Sequence, residues 1–150
     1  MLYQKIDLAI ASVKPYRPEL REATLSLFAD DYAYRDKLVK DCERSGLRLL
    51  HNEAVSALLS RPSFDALGEI VVVRVGELTA MLTRRLTEID RFAADTGKRL
   101  YVVCEPAAIV VLRAALHGLT TEVLARPSRW ERMFRLGQIR AEIRQNGCAR

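Results

Sequence analysis

Cysteine is scarce in this chain of 150 residues, and what there is points away from cross-links and metal. Cys42, Cys104 and Cys148 are odd in number and widely spaced, which argues against a disulfide framework and against a zinc site. There are two histidines. His51 opens a helical stretch and His117 precedes a helix-ending Gly118, so both read as structural or surface residues. The seven glycines never gather into a loop able to cradle phosphate. No apolar run approaches the roughly 20 residues that span a bilayer. The first residues, Met1-Leu2-Tyr3-Gln4-Lys5-Ile6-Asp7, lack a basic region followed by an apolar core, so no secretory signal is expected. Reduced thiols in a cytoplasm are the simple reading. These absences lead to an expectation of no metal, no cofactor, no membrane and no enzymatic dyad.

What is present is ordinary in amount and uneven in placement. Hydrophobic residues make up 49% and charged residues 29%, as in a globular domain. Lys and Arg number 24 against 19 Asp and Glu, a net charge of +5. The segment 129–150 carries Arg129, Arg132, Arg135, Arg140, Arg144 and Arg150 against Glu131 and Glu142, so most of the excess sits there. A basic helix of this kind either meets an acidic partner or nucleic acid, or is a solvated face.

Five short apolar runs, at 24–28, 47–50, 70–75, 100–104 and 122–125, alternate with longer helical patterns. The alternation predicts an α/β fold with a mostly parallel sheet and helices on both faces. Residues 70–75 are almost unbroken valine, as expected of a central strand covered on both sides. Helices are expected over 34–44, 52–60, 77–95, 106–117 and 128–145. Leu78, Met81, Leu82, Leu86, Ile89 and Phe92 mark one face of the third, with Gly97 as its C-terminal stop. Pro106 suits the first turn of the fourth. Trp130, Met133, Phe134 and Ile139 give the last an apolar side. Residues 1–22 stand outside the alternation as an N-terminal extension with one short extra helix, leaving 23–150 as the domain.

The residues at the strand ends carry a second pattern. Asp30 and Asp31 follow the first run, Arg74 ends the third, Cys104-Glu105 ends the fourth, and Arg126-Pro127 follows the fifth. In open α/β sheets ligands collect outside the carboxyl ends of the strands. With this spacing the chain resembles the receiver domain of two-component response regulators over roughly residues 23–145. The resemblance implies a three-layer, doubly wound, flavodoxin-like fold with a five-stranded parallel sheet of order 2-1-3-4-5. It implies that Asp30 and Asp31 match the family's metal-binding acidic pair, Arg74 stands where the phosphoaccepting aspartate belongs, Cys104 where Thr or Ser belongs, and Arg126 where lysine belongs. Glu105 stands where a small residue is usual, and Val123 where many receivers carry an aromatic switch.

Those departures predict a site without its chemistry. A guanidinium stays protonated and cannot attack a phosphoryl group. Arg74 beside Asp30 and Asp31 would stand in for the cation, with Glu105 able to pair with Arg74 or Arg126. Alternatively, Asp30 and Asp31 simply cap the helix that follows. Cys104 reads as a small apolar filler. The expected function is a phosphorylation-independent protein-interaction or signalling module, not an enzyme. Its partner would be a protein, a second copy included, met through the face of helix 106–117, strand 122–125 and the last helix with Arg129, Arg132, Arg135, Arg140 and Arg144. An anti-sigma-factor-antagonist-like domain is the alternative, but only Thr79 offers a hydroxyl near the start of the third helix. Nucleic-acid binding through the arginine-rich helix is allowed but not favoured.

Overall fold

The alternating runs fold as a sheet. The computed structural model describes residues 23–125, 136 and 138–143. In chain order the elements are β1 (Thr24–Ala29), α1 (Tyr32–Ser45), β2 (Arg48–Glu53), α2 (Val55–Leu59), β3 (Ile70–Arg74), α3 (Ala80–Thr96), β4 (Arg99–Cys104), α4 (Pro106–Ala115) and β5 (Thr121–Ala125). All strand pairs are parallel, and the order is β2-β1-β3-β4-β5. The fold is therefore the doubly wound, flavodoxin-like α/β arrangement. β1 feeds leftward to β2 while β3 feeds rightward to β4. Right-handed crossovers then put α1 on one face and α3 on the other.

Alternation along the strands divides the core between those faces. Phe28, Val71, Val73, Val102, Cys104 and Val123 join Val55, Leu58, Leu82, Leu86, Ile89 and Leu112 beneath α2, α3 and α4. Leu25, Leu27, Ile70, Val72 and Val103 point the other way, where Leu38 and Cys42 of α1 are also buried. Burial, with Asp41 and Glu43 alongside, pushes the Cys42 thiol up to about 12, so it stays protonated.

The helix ends follow local chemistry. Asp31 caps α1 by accepting from the Tyr34 N–H. Thr79 caps α3 through the Leu82 N–H, which starts that helix at residue 80 and leaves Glu77 and Leu78 in the preceding loop. Gly46 and Gly97 end α1 and α3 at φ of +71° and +76°, a region where a Cβ is strained. The Arg140 guanidinium lies over Gly46, at the C-terminal end of α1. Positive charge is favoured there by the helix dipole.

The second strand differs from its expected span. It runs to Glu53 because the β1–β2 register shifts between Leu25 and Ser26, so that His51, Asn52 and Glu53 continue the ladder. Leu50 is the extra residue, bulged out and partly exposed. The helix after it consequently starts at Val55, not at 52.

The chain groups into two units, Glu22–Arg140 and one that joins Met1–Arg21 with Ala141–Arg150. Of the second, 141–143 are described and are helical. The expected N-terminal helix lies outside the described residues. So do most of the last helix and Arg126, Arg129, Arg132, Arg135 and Arg144. Among the described residues no helix is long and apolar enough to cross a membrane.

Candidate functional site

The carboxyl ends of β1 and β3 are adjacent, with Ala29 paired to Arg74 in the ladder. This register brings the acidic pair and the arginine together. The Arg74 guanidinium nitrogen lies 3.8 Å from Asp31 Oδ2, with 11% of the arginine side chain exposed against 41% of the aspartate. Its carbon lies 5.2 Å from the centre of the Tyr34 ring, one turn into α1. Tyr34 thus closes the arginine from the side opposite the strand, by stacking that suits a planar cation. The sequence pattern did not single out Tyr34. Its signal was its place one turn beyond the Asp31 cap.

The two aspartates have separate tasks. Asp30 turns toward α2 and accepts from the Val55 N–H at 3.0 Å, satisfying a helix-start donor that Ala54 cannot cap. Asp31 splits its carboxylate between the Tyr34 N–H at 3.1 Å and the face toward Arg74. Both the capping role and the counter-charge role therefore hold for Asp31. Among the described residues, no group of three or more His, Cys, Asp or Glu side chains could hold a metal ion. A divalent cation of the kind receivers bind does not fit here. Asp30 is turned to α2, and Asp31 faces the fixed positive charge of Arg74. The Arg74 Nε atom is buried without a hydrogen-bond partner, so the cluster is held by packing and charge together.

Cys104 is fully buried at the end of β4. Burial raises its thiol above the ordinary 9.0, Arg113 opposes the rise, and Glu105 adds to it. It packs in the core, where burial favours the protonated thiol. Glu105 is exposed at the N-cap position of α4, where its side chain makes no capping bond. Thr79 spends its oxygen on the α3 cap.

Replacing Arg74 by alanine is expected to lower stability by about 1–2 kcal/mol. The exposed half of the ion pair contributes little of this, and lost packing against Tyr34 contributes most. Urea midpoints of the two proteins measure it. A variant that melts like the parent would show that the arginine does not hold this corner.

A further surface lies one strand over. α4 is almost wholly apolar, yet among its residues Leu112 alone is deeply buried. Ala107, Val110, Val111 and Ala114 are exposed along its outer side. Val110 is 75% and Val111 52% exposed, and Leu119, in the turn before β5, is wholly exposed. Arg113 is exposed on the same helix. Arg113 reaches from α4 to the Val123 carbonyl of β5 at 3.1 Å, which ties the helix to the edge strand.

No protein-family model matches the sequence, and no curated protein matches it significantly. Among solved structures, the fold is similar to a de novo designed Rossmann 2x3 fold protein studied in solution. The TM-score is 0.57 at 13% identity, over 80% of this chain and 90% of that one. That likeness concerns the arrangement of strands and helices alone.

Proposed function

We propose that this chain is a receiver-like protein-interaction module that works without phosphorylation, in the cytoplasm, and that its first partner is a second copy of itself, docked through α4 and β5. The outer side of α4 carries this reading. Val110 and Val111 are exposed side by side on it, and Leu119 is exposed in the turn before β5, bare apolar surface of the kind that marks a protein contact. The stripe itself is uncharged, so a two-fold pairing meets no like charge along it. Arg74 supports the other half of the reading, since a guanidinium paired to Asp31 neither accepts phosphate nor leaves room for a metal.

The test is sedimentation of the parent and of Val110→Glu with Val111→Glu, each with and without acetyl phosphate. The parent is expected to dimerise and the double variant to be monomeric. Burying two unpaired carboxylates should weaken association by about 2 kcal/mol or more, roughly thirtyfold. Acetyl phosphate is expected to change neither protein. A parent that stays monomeric overturns the second-copy reading and leaves a different protein as the occupant. An acetyl-phosphate-dependent dimer overturns phosphorylation independence. Arg140, expected as part of the interaction face, is a poor probe of it, because its guanidinium sits on Gly46 at the end of α1.

A further inference from the structure

The second cluster of chemical interest lies away from the strand ends, on the α2 side of the sheet. Ser26, mid-strand in β1, is fully buried. Its hydroxyl oxygen accepts the Gly68 N–H at 2.9 Å and lies 2.7 Å from His51 Nδ1 on the edge strand β2. A hydroxyl has one proton to donate. Gly68 is a donor, and His51 Nδ1 is the other partner of Ser26, so the neutral ring with its proton on Nε2 is the tautomer that gives the buried serine proton an acceptor. The ring stacks on Phe28 with centroids 6.1 Å apart, and the Arg61 guanidinium lies over the same phenyl ring.

We propose that His51 is a proton-operated latch: neutral, it accepts the Ser26 hydroxyl and locks β2, β1 and the turn at Gly68 together; protonated, it releases the edge strand and that turn. Protonation places a second donor on Nδ1 facing Ser26. The serine proton then has no partner in a fully buried site, and an unmade buried hydrogen bond is costly. The charged groups acting on the ring are Arg61, from the loop after α2, which opposes protonation, and Glu53, on β2 itself, which favours it. β1 presents Ser26 and Phe28 to the ring. Burial first and Arg61 second hold the imidazole below its ordinary 6.5. The folded protein therefore binds protons less readily than the unfolded chain. The latch's contribution is full above 6.5 and is lost as pH falls through the lowered folded value.

The experiment follows the parent by NMR from about pH 7.5 down to about pH 5, reading the His51 ring and the amide exchange of Gly68 and Val102, with His51→Gln as the non-titrating control. The His51 midpoint is expected below 6.5. Gly68 protection, corrected for intrinsic rate, should fall by up to about tenfold for each pH unit between 6.5 and the lowered midpoint and level off below it, while Val102 in β4 stays protected. The control should show no such step at Gly68. A midpoint at or above that of a free histidine, or Gly68 and Val102 losing protection in parallel, overturns the latch. The parent's own titration decides the matter even if the control fails to fold.

Discussion

Asp90→Ala is expected to cost about 3–5 kcal/mol, because it removes one buried acceptor and leaves several donors behind it. Asp90 lies on α3 with 6% of its surface exposed. Its carboxylate accepts the His117 N–H at 3.0 Å, the Gly118 N–H at 3.1 Å and the Thr121 hydroxyl. Those groups form the turn that carries the chain from α4 to β5. Gly118 fits only because it has no Cβ, which would fall 2.7 Å from Asp90 Oδ1. One carboxylate thus sets where α4 ends and where β5 begins, and with them the exposed stripe. Urea unfolding of Asp90→Ala measures the loss. Asp90→Asn keeps one acceptor oxygen and should fall about midway. A shift for Asp90→Ala within about 0.5 kcal/mol, the range of an ordinary surface change, would refute the clasp.

Gly68→Ala should be nearly as damaging, for a steric reason. A Cβ there would lie 2.9 Å from the Leu25 nitrogen and 2.9 Å from the Thr24 carbonyl carbon. Both are backbone atoms of β1 and cannot swing away. The turn would have to lift off the strand, breaking the Gly68 bond to Ser26 and disturbing the Lys98 bond to the Leu67 carbonyl. The expected cost is about 2–4 kcal/mol by chemical denaturation. Gly76→Ala is the control. Nothing lies within 4 Å of its Cβ, and its φ is not positive, so its stability should stay within about 0.5 kcal/mol of the parent or rise slightly. Equal effects at the two glycines would mean that backbone contact at Gly68 is not the cause.

The sheet was legible in the sequence because two-sided burial leaves a plain mark. The valines of β3 gave its position, Gly97 the end of α3 and Pro106 the start of α4, whereas α4 ends at Ala115, short of the expected stop at Gly118. The second strand was misplaced because an edge strand is half exposed and Leu50 breaks its alternation. The third helix was started early because Glu77 and Leu78 fit its period, while the Thr79 cap acts on Leu82. Asp90 had a visible signal that went unread: it falls four residues after Leu86, on the buried side of α3 with Ile89 and Ala93. An acid in an apolar stripe is buried with partners or absent. Ser26, His51 and Gly68 left no such trace, since they meet only through strand pairing and a turn distant in sequence.

The strand order also governs how the chain can assemble. β1 must pair with β3 on one side and β2 on the other, and no pair in the sheet is a hairpin. Thr24 and Glu69 stand 45 positions apart, and they exchange two bonds: the Thr24 N–H to the Glu69 carboxylate and the Glu69 N–H to the Thr24 hydroxyl. That exchange closes a loop containing α1, β2 and α2. Closing it costs chain entropy before any core between β1 and β3 repays the cost. Pairing of β3 with β1 is therefore expected to be a slow step of folding, which substitutions at Thr24 or Glu69 should slow when refolding rates are measured.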